Sequence, residues 1–339
     1  MDKISFCNDS DLSSLKTFIK TNWDENHIFV RSDLILDYQH KDKGKYNFVI
    51  GKNEKNKITG VLGFIPPSFF DKELSSKQFL WLALWKVNLN IASDGLGFRM
   101  LHFLKSNIKH KIIGAVGINN EVKKLYQILG YSVGSLSHYY QLNHRINRYN
   151  IIKILNDNTK IQDTSKKSSI DYKCRIKKIE WHQIDGKFIT DFSNKSIDYI
   201  TKKYELHPIY NYEVYEVKVR NELLLYIILR KVIVGESNCI RIIDMVGDFN
   251  NQYDLKGCFE YLIHKHNSEY IDCYSYGINK GLFYSWGFIR KNKNRIIIPN
   301  YFEPFIQKNI KLEFAVKSNS PFYIFKGDSD QDRPSLITN

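Results

Sequence analysis

The chain is short of the residues that hold small or extracellular proteins together. Its five cysteines (Cys7, Cys174, Cys239, Cys258 and Cys273) are odd in number, irregular in spacing and never arranged C-x-x-C. That argues against a disulfide framework and against a zinc site, and fits reduced, mostly buried thiols. Long apolar runs are missing too. A run as long as any, "LLLYIIL" (Leu223–Leu229), suits a buried strand and is far too short to span a bilayer. The N-terminal "MDKISFCNDSDLSSLKTF" carries acids and no apolar h-region, so it does not read as a secretory signal. A cytoplasmic chain without membrane insertion is expected. Acidic residues are the scarcer charge, 36 against 50 basic, for a formal +14. The surplus suits an anionic partner such as a nucleotide. The basic residues are scattered, however, and clusters such as Lys109–Lys111 and Arg290–Arg295 are not the long basic blocks of nucleic-acid tails, so no nucleic acid is expected.

Apolar residues are plentiful: 43% of the 339 residues are hydrophobic and 14% aromatic, enough for more than one core. The polar stretch Asn143–Ile170 divides the chain. It predicts segments 1–145 and 171–339 around a linker, 146–170, with a short helix around Tyr149–Leu155. The first segment reads helix (Asp11–Asn22), two strands across the turn "KNEKNK", a long strand (79–92), helix (93–107), strand (111–118), helix (119–130) and an aromatic-rich final strand (131–143). The second segment repeats this order: strand, helix, an antiparallel meander, helix, strand, short helix. One phrase marks the repeat. "GINNEVKKLYQILGY" begins at Gly117 and the shorter "GINKGLFYSWGF" at Gly277. The expected fold is α/β (α+β), with two tandem domains, each a mixed, mostly antiparallel twisted sheet flanked by helices.

The stretch "SDGLGF" (Ser93–Phe98) joins a long strand to a helix. Such a turn offers backbone N–H groups at the positive end of a helix dipole, a seat for phosphate, and Gly95 and Gly97 let a ligand come close. Downstream, Val122, Leu125, Tyr126 and Leu129 make one apolar helix stripe, capped by Asn119 or Asn120 and ended by Gly130. Together these resemble the GNAT superfamily of N-acyltransferases. In that family the strand and turn run V-x-P-x-x-Q/R-x-x-G-x-G/A. Val87, Gly95 and Gly97 match, while Leu89 stands for the Pro and Ala92 for the Gln or Arg. The later pattern, N-x-x-A-x-x-L-Y-x-x-x-G-F, is met by Asn119, Leu125, Tyr126 and Gly130, with Val122 for Ala and Tyr131 for Phe. The resemblance implies coenzyme A as co-substrate and no metal. Backbone groups at Val87 and Leu89 would meet the pantetheine arm. The amides of Gly95, Leu96, Gly97, Phe98 and Arg99 would hold the pyrophosphate. Asn119 would bond the pantetheine, and Tyr126 would protonate the departing thiolate.

The second copy has no Gly-x-Gly and is two residues shorter between Asn279 and Tyr284, so it is expected to have lost coenzyme A and to bind the acceptor. Two phrases resemble a narrower group, tandem GNAT enzymes that acylate amino sugars on nucleotide carriers for O-antigen and other surface polysaccharides: Tyr204-x-x-His207-Pro-x-Tyr210, and Asp328-x-Asp330-Gln-Asp332-Arg-Pro. That group implies transfer of an acetyl or 3-hydroxybutanoyl group to a dTDP-linked amino-dideoxy sugar by a monomer or homodimer, with His207, Tyr210, Tyr212 and Asp244 contacting the acceptor. For a general base, His138, Asp244, His207 and Glu213 are candidates by residue type alone, and water would serve an amino-sugar amine as well. The acidic tail also fits a solvated end; it lacks the Gly and distant Glu of a calcium loop. Two other readings stay open: a tandem GNAT transferase using aminoacyl-tRNA, and a non-catalytic binding protein on the same scaffold.

Overall fold

The computed structural model describes residues 1–74, 79–155, 174–193, 195–300 and 306–334. The first half runs β1 (Lys3–Asn8), α1 (Leu12–Asn22), α2 (Asp33–His40), β2 (Lys45–Lys52), β3 (Ile58–Ile65), β4 (Phe79–Val87), α3 (Leu96–Asn107), β5 (Ile112–Val116), α4 (Asn120–Ile128), β6 (Ser132–Ser135) and β7 (Ser137–Leu142). The second runs β8 (Cys174–Ile179), α5 (Gly186–Ser193), β9 (Glu213–Val219), β10 (Glu222–Val234), β11 (Ser237–Gly247), α6 (Lys256–Lys265), β12 (Tyr270–Tyr276), α7 (Lys280–Ser285), β13 (Ile289–Arg290) and β14 (Glu313–Lys317). The expected helix around Tyr149–Leu155 is instead a short strand, Lys153–Ile154, paired with Ile296–Ile297. Ile151 and Ile152 beside it are buried, and β-branched side chains favour that extended form. From residue 156 to 170 the expected linker lies outside the described residues.

Two sheets form, in the orders β1-β2-β3-β4-β5-β14-β6 and β8-β9-β10-β11-β12-β7-β13. Position for position they match. In each, neighbouring strands are antiparallel except for one parallel pair, β4 with β5 and β11 with β12. The halves also exchange a strand. β14, from near the end of the chain, lies between β5 and β6, and β7, from the end of the first half, lies between β12 and β13. The stretch 131–143, expected as one strand closing the first half, therefore breaks at Leu136, which turns inward and donates its N–H to Leu312 O at 2.9 Å. Cuts at 145 and 171 divide the chain but not the sheets.

A core shared by both sheets lies between them: Trp81, Val116, Phe314 and Val316 meet Tyr226, Ile228, Ile243 and Tyr274. On the outer faces, α3 and α4 cover the first sheet, and α6 and α7 the second. This explains why "LLLYIIL" shows no alternation. Leu225, Ile227 and Leu229 point into the helix-covered core, and Tyr226 and Ile228 into the shared one. No helix among the described residues is long and apolar enough to cross a membrane.

Both parallel pairings are short. The first ladder ends at Leu82 opposite Ala115, and the second at Ile242 opposite Cys273. Beyond these points the strands have no mutual ladder, so each sheet has a slot at the C-terminal ends of its parallel strands, where open α/β sheets take ligands.

Candidate active site

The first slot begins where β4 stops. The strand ends at Val87, short of the expected Ala92, because Asn88 turns the chain. Its side-chain oxygen accepts from the Asn90 N–H at 3.1 Å, and its carbonyl accepts from the Ile91 and Ala92 N–H groups at 3.2 and 3.0 Å. Gly95 then takes a left-handed conformation, φ +67°, as the N-cap of α3, with nothing within 4 Å of an added Cβ. No side chain caps this helix, so amides of its first turn are left for water or a ligand. Leu96 is buried against Gly51 and Gly60, where added Cβ atoms would come within 2.8 and 3.0 Å of it, and this seats the helix start on the sheet. Leu89 and Phe98 are exposed. Asp2 braces the turn from below. Its carboxylate accepts from the Ser93 N–H and hydroxyl and from the Thr59 hydroxyl. Burial pushes Asp2 up, but these bonds and the Arg99 charge leave it below the usual carboxylate range. Arg99 donates to Ser93 Oγ at 2.6 Å and so is turned toward Asp2.

Along the slot, β4 has an open edge. The Asn88 N–H bonds Thr59 O at 2.9 Å and Val87 stands opposite Gly60, so alternation turns the N–H and C=O of Val87 away from β3. The register also slips: Leu62 opposes Trp85 but Phe64 opposes Leu82, which places a bulge in β4 at the slot. Tyr126 faces this edge from α4. Asn119 caps that helix, accepting from the Val122 N–H at 2.9 Å, and Gly130, φ +76°, ends it. Tyr126 is 2% exposed, with its ring 5.9 Å from Trp85 and 5.0 Å from Tyr131. Burial raises its phenol well above the ordinary value, so the group keeps its proton at neutral pH.

The acidic tail is not a solvated end. Asp328, Ser329, Asp330 and Asp332 are all buried at the seam between the halves. Ser329 Oγ donates to Leu82 O at 3.4 Å and Gln331 Nε2 to Val116 O at 2.9 Å, so the tail bridges the ends of both strands that flank the first slot. Gly117, φ +79°, makes room: an added Cβ would lie 2.5 Å from the Gln331 side chain. Asp332 takes the Arg230 guanidinium at 2.9 and 3.0 Å and the Tyr212 hydroxyl at 2.7 Å. Asp330 pairs with Arg333, and Arg333 also reaches His27 Nε2 at 3.1 Å.

Beside this tail a cleft is lined by residues of both halves, among them Tyr38, Lys203, His207, Tyr212, Asp330 and Arg333. Two of the four expected acceptor contacts, His207 and Tyr212, line it. Tyr210 stacks on His207, ring centroids 5.1 Å apart, beneath Arg230. Asp244 does not reach the cleft. It is fully buried, bonded to Lys195 at 2.5 Å and to the Tyr204 hydroxyl at 2.8 Å, and supports the tail from below. His138 is also misplaced for chemistry. It sits on β7 in the second sheet, 3% exposed, 2.9 Å from Asp272, which also holds Arg241. Burial and the Lys291 charge depress it to about 3 despite Asp272, so it is a neutral structural ring and not a base. Asp2, Trp85, Lys203 and Ser329 escape sequence reasoning: each is an ordinary residue whose partners are distant in the chain. No group of three or more His, Cys, Asp or Glu that could hold a metal occurs among the described residues.

The second slot is filled. The short strand Ile324–Phe325 pairs with β12, and the Gly327 N–H donates to Ile243 O at 2.8 Å. At its helix start the Asp254 carboxylate accepts the Lys256 N–H at 3.0 Å, placing an acid where the first half has a bare glycine turn.

No family model matches the sequence, and comparison with curated proteins gives no match. Solved structures do match. A GCN5-related N-acetyltransferase from Anabaena variabilis superposes with a TM-score of 0.55 at 11% identity, covering 94% of this chain and 72% of that one. A GCN5-related glucosamine N-acetyltransferase region of a fungal multi-domain β-N-acetylglucosaminidase gives 0.51 at 13%, covering 93% and 38%. A probable N-acyltransferase from Enterococcus faecalis gives 0.50 at 9%, covering 92% and 72%. The chain therefore has the GNAT fold, and the superpositions extend over both of its halves.

Proposed function

We propose that this protein is an acyl-CoA-dependent N-acyltransferase whose first half holds the thioester and whose seam presents an amine. The observation that carries this reading is that the glycine turn, the open edge of β4 and the buried Tyr126 meet in the first half only. The uncapped start of α3 would take the pyrophosphate, and the unpaired edge at Val87 would pair with the pantetheine arm. The amine nitrogen attacks the thioester carbonyl carbon. The oxyanion that forms is met by strand amides, the C–S bond breaks, and the thiolate takes the Tyr126 proton. The amine sheds its proton to solvent, and the Tyr126 phenolate takes one back from solvent, so the net products are the amide and the free thiol. For the acceptor we propose an amino sugar on a nucleotide diphosphate, dTDP by the tail and Tyr204–Tyr210 phrases, within surface-polysaccharide assembly. A glucosamine N-acetyltransferase region is among the solved structures with this fold, which lends support to the amino-sugar part of the reading.

The test is a mass-spectrometric screen of dTDP- and UDP-amino sugars against several acyl-CoA donors, with calorimetry of coenzyme A. A product that depends on Tyr126 supports the reading. Absence of coenzyme A binding, or full turnover by Tyr126→Phe, overturns it.

A further inference from the structure

Buried cations at the seam come with acids: Lys195 with Asp244, Arg230 with Asp332, Arg333 with Asp330 and Arg241 with Asp272. Lys203 differs. It is 8% exposed, yet among the described residues no carboxylate lies within ion-pair distance of it. Its Nζ donates to the Tyr199 hydroxyl at 2.9 Å and stands 5.7, 5.1 and 5.8 Å from the ring centroids of Phe70, Tyr199 and Tyr204. Ring faces and one hydroxyl offset only part of the cost of taking an ammonium out of water. Lys326 is also buried without an acid. It rests on Asn300 O at 2.8 Å, and burial depresses it to about 7, so it sheds its charge cheaply. Lys203 has no such carbonyl, and it lines the cleft.

The backbone confirms a built position. Lys203 lies on a π turn, Thr201–Glu205, the kind of helix irregularity that gathers at functional sites. Its carbonyl accepts the Tyr38 hydroxyl from the other half at 2.6 Å, which fixes the turn across the seam. The acids lining the cleft do not neutralise it, because Asp330 and Asp332 are taken up by Arg333 and Arg230. Asp328 is taken up by Lys195, 3.7 Å away, and accepts the Phe325 N–H at 2.9 Å.

We infer that Lys203 is the anchor for an anionic oxygen group of the acceptor, a phosphate or a carboxylate, bound in the cleft between the halves. This deepens the proposed function and rests on it for the word acceptor; the anion site itself does not. The lysine supplies the point charge, Phe70 and Tyr204 exclude water, and the neutral imidazole of His207 lies along the same wall.

The test uses the full chain as wild type, Lys203→Met and Lys203→Arg, at neutral pH and low salt. Inorganic pyrophosphate and malonate serve as probes in thermal unfolding and calorimetry, and coenzyme A is titrated separately. Without probe, Lys203→Met should melt at or above wild type, since a buried ammonium without an acid is gone. One probe should bind wild type, lose about tenfold or more in affinity in Lys203→Met, and be largely retained by Lys203→Arg. Which probe it is separates phosphate from carboxylate. Equal probe binding by wild type and Lys203→Met, or no binding of either probe to wild type, overturns the inference. If coenzyme A fails to bind while Lys203-dependent anion binding persists, the acyl-transfer reading falls and the anion site stands.

Discussion

Two phrases of nearly the same form end in different places. In the first half, Gly117 (φ +79°), the Asn119 cap and Gly130 (φ +76°) carry Tyr126 into the core beside the unpaired edge of β4. In the second, Gly277 (φ +90°), the Asn279 cap and Gly287 (φ +82°) repeat the backbone, but Tyr284 is 50% exposed and the slot beside it is closed by Ile324–Phe325. Gly277 is even required by that closure, for an added Cβ would lie 2.3 Å from Phe322 O. Conserving a fold thus does not conserve a site. An open pair of strand edges needs a partner: in the second half Ile324–Phe325 supplies a backbone ladder, whereas in the first the tail reaches Leu82 and Val116 only through the Ser329 and Gln331 side chains and the edge at Val87 stays unpaired.

Acid should disturb the seam that joins the halves more than any single substitution. Burial holds His27, His40 and His207 neutral, aided by the Arg333 charge at the first two and the Arg230 charge at the third, with values of about 3, 3 and 4. The unfolded chain takes up these protons below about 6.5, so the stabilisation is complete above that pH and is lost as the pH falls through the folded values. Tryptophan fluorescence melts between about pH 7 and 4 should show the loss; a flat melting temperature would mean that these rings are not held neutral. Next in size is Asp332→Ala, which strips the carboxylate from Arg230 at the seam. It should cost about 3 kcal/mol or more in urea unfolding, and Arg230→Met in the same chain should restore much of it. A double variant no more stable than the single would refute that pairing.

The two tyrosines give the cleanest contrast in chemistry. Tyr126→Phe should lower kcat for acyl transfer about a hundredfold, while Tyr284→Phe stays within about twofold. Equal effects would erase the division of labour. Smallest is the glycine comparison. At Gly97 an added Cβ meets Trp85 and Val87 at 3.5 Å, ordinary contact, so Gly97→Ala should fold normally yet weaken coenzyme A about tenfold in calorimetry, whereas Gly257→Ala, in the first turn of α6, leaves it unchanged.

Much of this was legible in the chain. The duplicated order of elements shows at sequence level because periodicity and caps are local, and so does the α4 stripe that buries Tyr126. What escaped is non-local. Strand 131–143 reads as one unit because nothing in its residues says that Ser137–Leu142 will pair with Tyr270–Ser275. The acids of the tail read as solvated because Arg230, the cation that claims Asp332, stands 102 residues earlier. His138 looks like a base by type, and only its contact with Asp272, 134 residues away, shows that it is packed as part of a wall.

The reciprocal exchange of β7 and β14 also bears on how the chain is made. As synthesis proceeds, the first sheet lacks a strand until residue 317 has emerged, leaving the facing edges of β5 and β6 unpaired through most of translation. β7 meanwhile waits for β12, more than a hundred residues downstream. Such late, long-range pairing slows folding and exposes strand edges to other chains. Neither half is a module that could be lifted out, duplicated again or grafted onto another protein. Whatever duplication produced the repeat, each copy now holds a strand of the other and neither sheet is complete alone.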